Sequence, residues 1–65
     1  MEIVVNGAPK SVAALTITEL LMELSIPTNG VAVAVNESVV RKADHASHRL
    51  SNADKVEIIR AVQGG

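Results

Sequence analysis

Only one stretch of this 65-residue chain carries the period of a helix. In Thr16-Ile17-Thr18-Glu19 a hydroxyl stands three residues before a carboxylate, the form of a capping box. Ile17, Leu20, Leu21 and Leu24 then fall at i, i+3, i+4 and i+7, one apolar stripe, with Glu19, Met22 and Glu23 mostly off it. Pro27 cannot extend the helix, and Asn29-Gly30 suits a turn. Most of the remaining regular sequence alternates with the period of a strand. That imbalance constrains the fold more than any other feature. One helix cannot cover both faces of a sheet, so the strands must curl around it and leave one face wet.

Met1 to Val5 places Met1, Ile3 and Val5 on one face and Glu2 and Val4 on the other. Asn6-Gly7-Ala8-Pro9 reads as a turn, because Asn-Gly between two extended runs is a strong hairpin signal. Lys10 to Ala14 reads as the return strand. Val31 to Val35 alternates cleanly, Asn36-Glu37 turns it, and Ser38 to Arg41 is its expected partner. Lys42 to Leu50 is polar and reads as a loop with one helical turn. Ser51 to Asp54 turns into a last strand, Lys55 to Val62, with Val56 and Ile58 inward. The first and last strands are both apolar, and central positions side by side bury them best. The expected fold class is α+β, a mixed, curled sheet of four to five strands packed over one main helix. Residues 1–62 are expected to form this domain and 63–65 a flexible tail ending in Gly-Gly.

A chain this short has room for one core and often needs a covalent or metal staple. Cysteine is absent, which excludes disulfides and thiolate-bound zinc. Stability must come from aliphatic burial, which a 48% hydrophobic composition can supply. The absence of aromatics removes base stacking as a way to hold single-stranded nucleic acid. A formal charge of −1 removes the basic footprint that phosphate backbones require. No apolar run approaches the roughly 20 residues needed to cross a membrane. The N-terminal residues lack the charged and apolar regions of a signal peptide. A soluble, cytoplasmic protein is expected, monomeric when free, with no nucleic-acid or membrane partner.

Enzymatic constellations are hard to find. Ser11, Ser38, Ser47 and Ser51 have no supporting His-Asp arrangement, and Lys10, Lys42 and Lys55 have nothing in sequence to activate them. Gly7 and Gly30 are isolated turn glycines rather than a phosphate loop. His45 and His48, three apart, are expected at the surface, and no metal site is expected from them. The chain reads as a non-enzyme, with no catalytic residue and no cofactor bound to it. Its outward sheet face is more informative. Two adjacent isoleucines in one strand cannot both face the helix, so Ile59 points out if Ile58 points in. Val4, Ala32, Ala34 and Ala61 share that expected face, and together with Ile59 they form a candidate partner-docking patch rimmed by Lys55, Glu57 and Arg60.

The final residues, Gln63-Gly64-Gly65, place the two least structured residues directly after a core strand. With "MEIVVNG", "TITELLMEL", "VAVAVNESVV" and "DKVEIIRAVQGG", the whole chain resembles the ubiquitin-like β-grasp family. More narrowly, it resembles the ThiS family, small sulfur carriers of thiamine biosynthesis. Two departures stand out. The family usually has an Asp-Gly-Asp-type turn before the last strand where this chain has Asn52-Ala53-Asp54, and it often has a small residue where Gln63 stands.

The resemblance implies a carrier acting as co-substrate of partner enzymes. An E1-like adenylyltransferase (ThiF-like), using ATP and Mg, would adenylate the Gly65 carboxylate. Sulfide from a sulfur donor protein, or its persulfide followed by a thiol that cleaves the resulting acyl disulfide, would displace AMP and leave a thiocarboxylate for a thiazole synthase (ThiG-like). Gly64 and Gln63 would thread the terminus into these partners, glycine being thin and free to adopt φ > 0. A molybdopterin synthase small-subunit-type carrier, a protein modifier and a non-covalent ubiquitin-like module are the alternatives. The carriers should form no isopeptide adducts, and the interaction module should tolerate loss of Gly65.

Overall fold

The computed structural model describes residues 1–60. Ala61 to Gly65 lie outside the described residues, including the end of the last expected strand and the whole expected tail. The elements are β1 (Glu2–Val5), β2 (Ala8–Ser11), α1 (Ile17–Glu23), β3 (Val31–Val35), β4 (Ser38–Val40), a 3-10 turn (Lys42–Asp44) and β5 (Lys55–Arg60). They build a single five-stranded mixed sheet in the order β2-β1-β5-β3-β4, with α1 against one face. β1 and β5 run parallel at the centre, and every other pairing is antiparallel.

The core is the inward alternation of the strands closed by the helical stripe. Ile3, Val5, Val33, Val35, Val56 and Ile58 are buried with Ile17, Leu20 and Leu21, while Leu24 packs partly against them. Val12, Ala14 and Leu50 add apolar surface from the connections.

The first hairpin differs from the expected one. The turn is only Asn6-Gly7, and the return strand begins at Ala8 rather than Lys10. Both turn residues have positive φ, 50° and 83°, the geometry of a two-residue type I′ turn whose twist matches the strands. Pro9 is tolerated within β2 because that strand is an edge. Met1 and Val12 exchange both backbone hydrogen bonds, so by alternation the Val4–Pro9 pair three steps away is a non-hydrogen-bonded one. No ladder bond is lost there.

The helix is short and held at both ends. Thr16 Oγ1 accepts from Glu19 N, as the capping box requires, while the Glu19 carboxylate accepts from Leu15 N, one residue before the cap. Glu23 accepts from Ala13 N and Ala14 N, so the off-stripe carboxylates tie the entering loop to the helix. The two remaining free donors of the first turn are satisfied by the 42–50 segment: Ile17 N donates to His48 O and Thr18 N to His45 O. At the other end Ile26 N donates to Leu21 O and Ser25 N to Met22 O, a Schellman closure with Ser25 at φ 58° where glycine is usual.

His45 corrects the expectation of two surface histidines. Its side chain is buried, with Nε2 at 3.1 Å from Val40 O, whereas His48 is half-buried. A carbonyl can only accept, so Nε2 carries the proton that joins the 42–50 segment to β4.

The turn before β5 carries the cost of the missing glycine. Ala53 sits at φ 72°, a region that a Cβ disfavours by about 1–2 kcal/mol. Replacing Ala53 or Ser25 by Gly will raise unfolding stability by about 0.5–1 kcal/mol each, the relief exceeding the extra unfolded-state entropy of glycine. Urea denaturation followed by far-UV circular dichroism will show additive shifts in midpoint. A loss of stability in either variant would contradict the left-handed assignment at that residue.

Candidate functional site

β5 is the last described strand and the one that leads toward Gly65, so the site is built outward from it. Lys55, Glu57 and Ile59 project from β5 on the face away from α1, alternating with buried Val56 and Ile58. The register sets Ile59 opposite Ala32, Glu57 opposite Ala34, and Val4 opposite Lys55. Four of the five expected docking residues, Val4, Ala32, Ala34 and Ile59, therefore share one face. The fifth, Ala61, lies outside the described residues, as do Gln63, Gly64 and Gly65.

They are not equally available. Ile59 is 65% exposed and Ala32 is exposed, whereas Val4 and Ala34 are half-buried beneath their neighbours. Of the expected rim, Lys55 and Glu57 belong to this face. Arg60 has the alternation of the helix side and is exposed.

Sequence reading missed Val39. It is 78% exposed on β4 and pairs with Ala34, so it extends the patch to the sheet edge. The signal was present: Val39-Val40 is an adjacent pair in one strand, as Ile58-Ile59 is, and Val40 packs against the core. Beside Ile59, an open groove of about 310 Å³ is lined by Gly30, Val31, Ala32 and Ile59.

The amide of Asn6 holds β5 where β1 ends. Its Oδ1 accepts from Ile58 N at 2.8 Å and its Nδ2 donates to Ile58 O at 3.2 Å, so one side chain does the work of a further strand residue. Asn36 performs a similar task on the other side of β5, accepting from Lys55 N and donating to Asp54. The strand that carries the patch is thus fixed on both flanks. Among the described residues no helix is long and apolar enough to cross a membrane.

One helix under a five-stranded mixed sheet with parallel central strands defines a β-grasp domain of the ubiquitin-like class. The comparisons narrow this further. The ThiS family model matches residues 3–65. A sulfur carrier protein ThiS from Thermus thermophilus is 33% identical over 92% of this chain and 94% of its own length. A sulfur carrier protein ThiS from Escherichia coli is 30% identical, with both chains covered in full. A thiazole synthase from Paramagnetospirillum magneticum is 35% identical over the whole chain, which spans only 20% of that protein's length. The crystal structure of a thiamine biosynthesis protein (ThiS) from Geobacter metallireducens superposes with a TM-score of 0.85 at 30% identity, covering 100% of each chain. The chain belongs to the ThiS family.

Proposed function

We propose that this chain is a sulfur carrier of thiamine (thiazole) biosynthesis and that its working group is the carboxylate of Gly65. The observation that carries the reading is the family match, which runs through to the Gly-Gly at residues 64 and 65 and covers nearly the whole chain. The two sulfur-carrier relatives support it, and so does the thiazole synthase that contains a region like this chain.

The chemistry explains why a partner is required. A terminal carboxylate has a pKa of about 3.3–3.7, so at neutral pH it is an anion and a poor electrophile. An E1-like adenylyltransferase, holding ATP and Mg, lets a carboxylate oxygen attack the α-phosphorus and expels pyrophosphate. The resulting acyl-AMP has a good leaving group. Sulfide attacks the carbonyl carbon, AMP departs with the carboxylate-derived oxygen, and a thiocarboxylate remains on Gly65. A thiazole synthase then accepts the sulfur. ATP, Mg and the sulfur donor belong to the partners; this chain contributes the terminus and a surface that places it.

Docking supplies the free energy that holds the terminus in a partner's site, where fixing a residue costs roughly 1–2 kcal/mol. We assign that surface to Ile59, Ala32, Ala34 and Val39, with Val4 at its margin; Ala61, also expected there, lies outside the described residues. Gly64 and Gln63 connect it to the reacting carbon.

The test is genetic. In a host whose own carrier has been deleted, the full chain will restore growth without added thiazole, and a chain lacking Gly65 will not. Restoration of molybdenum-cofactor enzymes instead of thiazole synthesis would move the carrier to the other pathway. Full activity without Gly65 would refute the terminal chemistry.

A further inference from the structure

Two of the four asparagines precede glycine, Asn6-Gly7 and Asn29-Gly30, and the fold treats them differently. In an Asn-Gly step the backbone nitrogen of the glycine can attack Cγ of the asparagine, because no glycine side chain obstructs the approach. Both glycines have open space where a Cβ would stand. Reactivity therefore depends on how the amide is held.

At Asn6 both ends of the amide are bound to the backbone of Ile58, within the central strand of the sheet. Swinging Cγ toward Gly7 N requires breaking both bonds. Asn29 lies exposed in the loop before β3, and its Oδ1 accepts from Lys42 Nζ. That ammonium sits where the oxyanion of the tetrahedral intermediate would form, and its four-carbon stem can follow the oxygen as the amide moves.

We propose that Asn29 is a site of spontaneous self-modification in the folded chain, assisted by Lys42, while Asn6 is protected. Gly30 N loses its proton and bonds to Asn29 Cγ, and the Cγ–Nδ2 bond breaks with release of ammonia. Water then opens the five-membered imide at either carbonyl, giving an aspartyl or isoaspartyl linkage. The net change is gain of water and loss of ammonia, with no redox step. The new carboxylate lies beside Lys42, next to the groove of Gly30, Val31, Ala32 and Ile59. The isoaspartyl form also lengthens the main chain at the entry to β3. The modification is intrinsic to the isolated chain and stands apart from the carrier reading.

The test incubates the purified full-length protein at neutral pH, in buffer and in urea, and follows both sites by peptide-mapping mass spectrometry. In buffer, conversion at Asn29 will exceed that at Asn6 by at least roughly tenfold, the protection two backbone hydrogen bonds provide. In urea the two rates will converge. Lys42→Met, at an exposed position, will slow Asn29 conversion in buffer by about threefold or more, the scale of a charge-assisted contact, and will leave the rate in urea unchanged. Equal rates at Asn6 and Asn29 in buffer would overturn the proposal. So would a Lys42→Met rate in buffer that is unchanged or faster.

Discussion

Leu20→Ala will remove most of the folding stability of this chain. Leu20 is fully buried in the middle of α1, on the stripe that closes the sheet. Truncating a buried leucine costs about 2–5 kcal/mol, transfer and cavity terms together. A domain of 65 residues holds only roughly 3–10 kcal/mol in total. The core has no disulfide to limit the damage, and a seven-residue helix has little stability of its own. Far-UV circular dichroism is the appropriate probe, since the chain has no aromatic residue to report by fluorescence. Met22→Ala, two residues further on and 66% exposed on the opposite side of the helix, will change stability by less than about 0.5 kcal/mol. Similar losses in the two variants would contradict the placement of the helical stripe.

Ile59→Asp will separate docking from folding. Its side chain is 65% exposed, so the variant will unfold at nearly the same urea concentration as the parent. Affinity for the proposed adenylating partner will fall by about 30-fold or more, the scale of a central apolar anchor lost from an interface. Val39→Asp will show a smaller loss, because Val39 lies at the sheet edge and an interface rim contributes less. Unchanged binding of a folded Ile59→Asp chain, measured by titration calorimetry, would refute the docking assignment. Unfolding of that chain would refute the assignment of faces.

The period of the sequence carried the helix, the inward residues and the outward position of Ile59, because burial on one face leaves a repeating mark. Places where backbone geometry decides were less visible. Pro9 suggested a longer turn, yet a proline at an edge strand can be paired without loss. The polar 42–50 segment has little side-chain pattern because its contribution is made by carbonyls: His45 and His48 satisfy the donors of the helix start. Glu23 was legible only as a residue off the apolar stripe, and the fold brings its carboxylate to Ala13 and Ala14. The central pairing of β1 with β5 was legible from their shared apolarity. Val39 could have been found by applying to Val39-Val40 the reasoning that exposed Ile59. Membership of the family was legible from the sequence pattern, Gly64 and Gly65 included, while the chemistry proposed for Gly65 falls on residues outside the described ones.

The most direct measurement is the intact mass of the chain after incubation with MgATP, a sulfide source and the purified adenylating partner, beside a control lacking Gly65. The carrier reading predicts a mass gain equal to one oxygen replaced by sulfur, confined to the C-terminal peptide and absent from the control. An unchanged mass, with a partner shown to activate another carrier of the family, would contradict it.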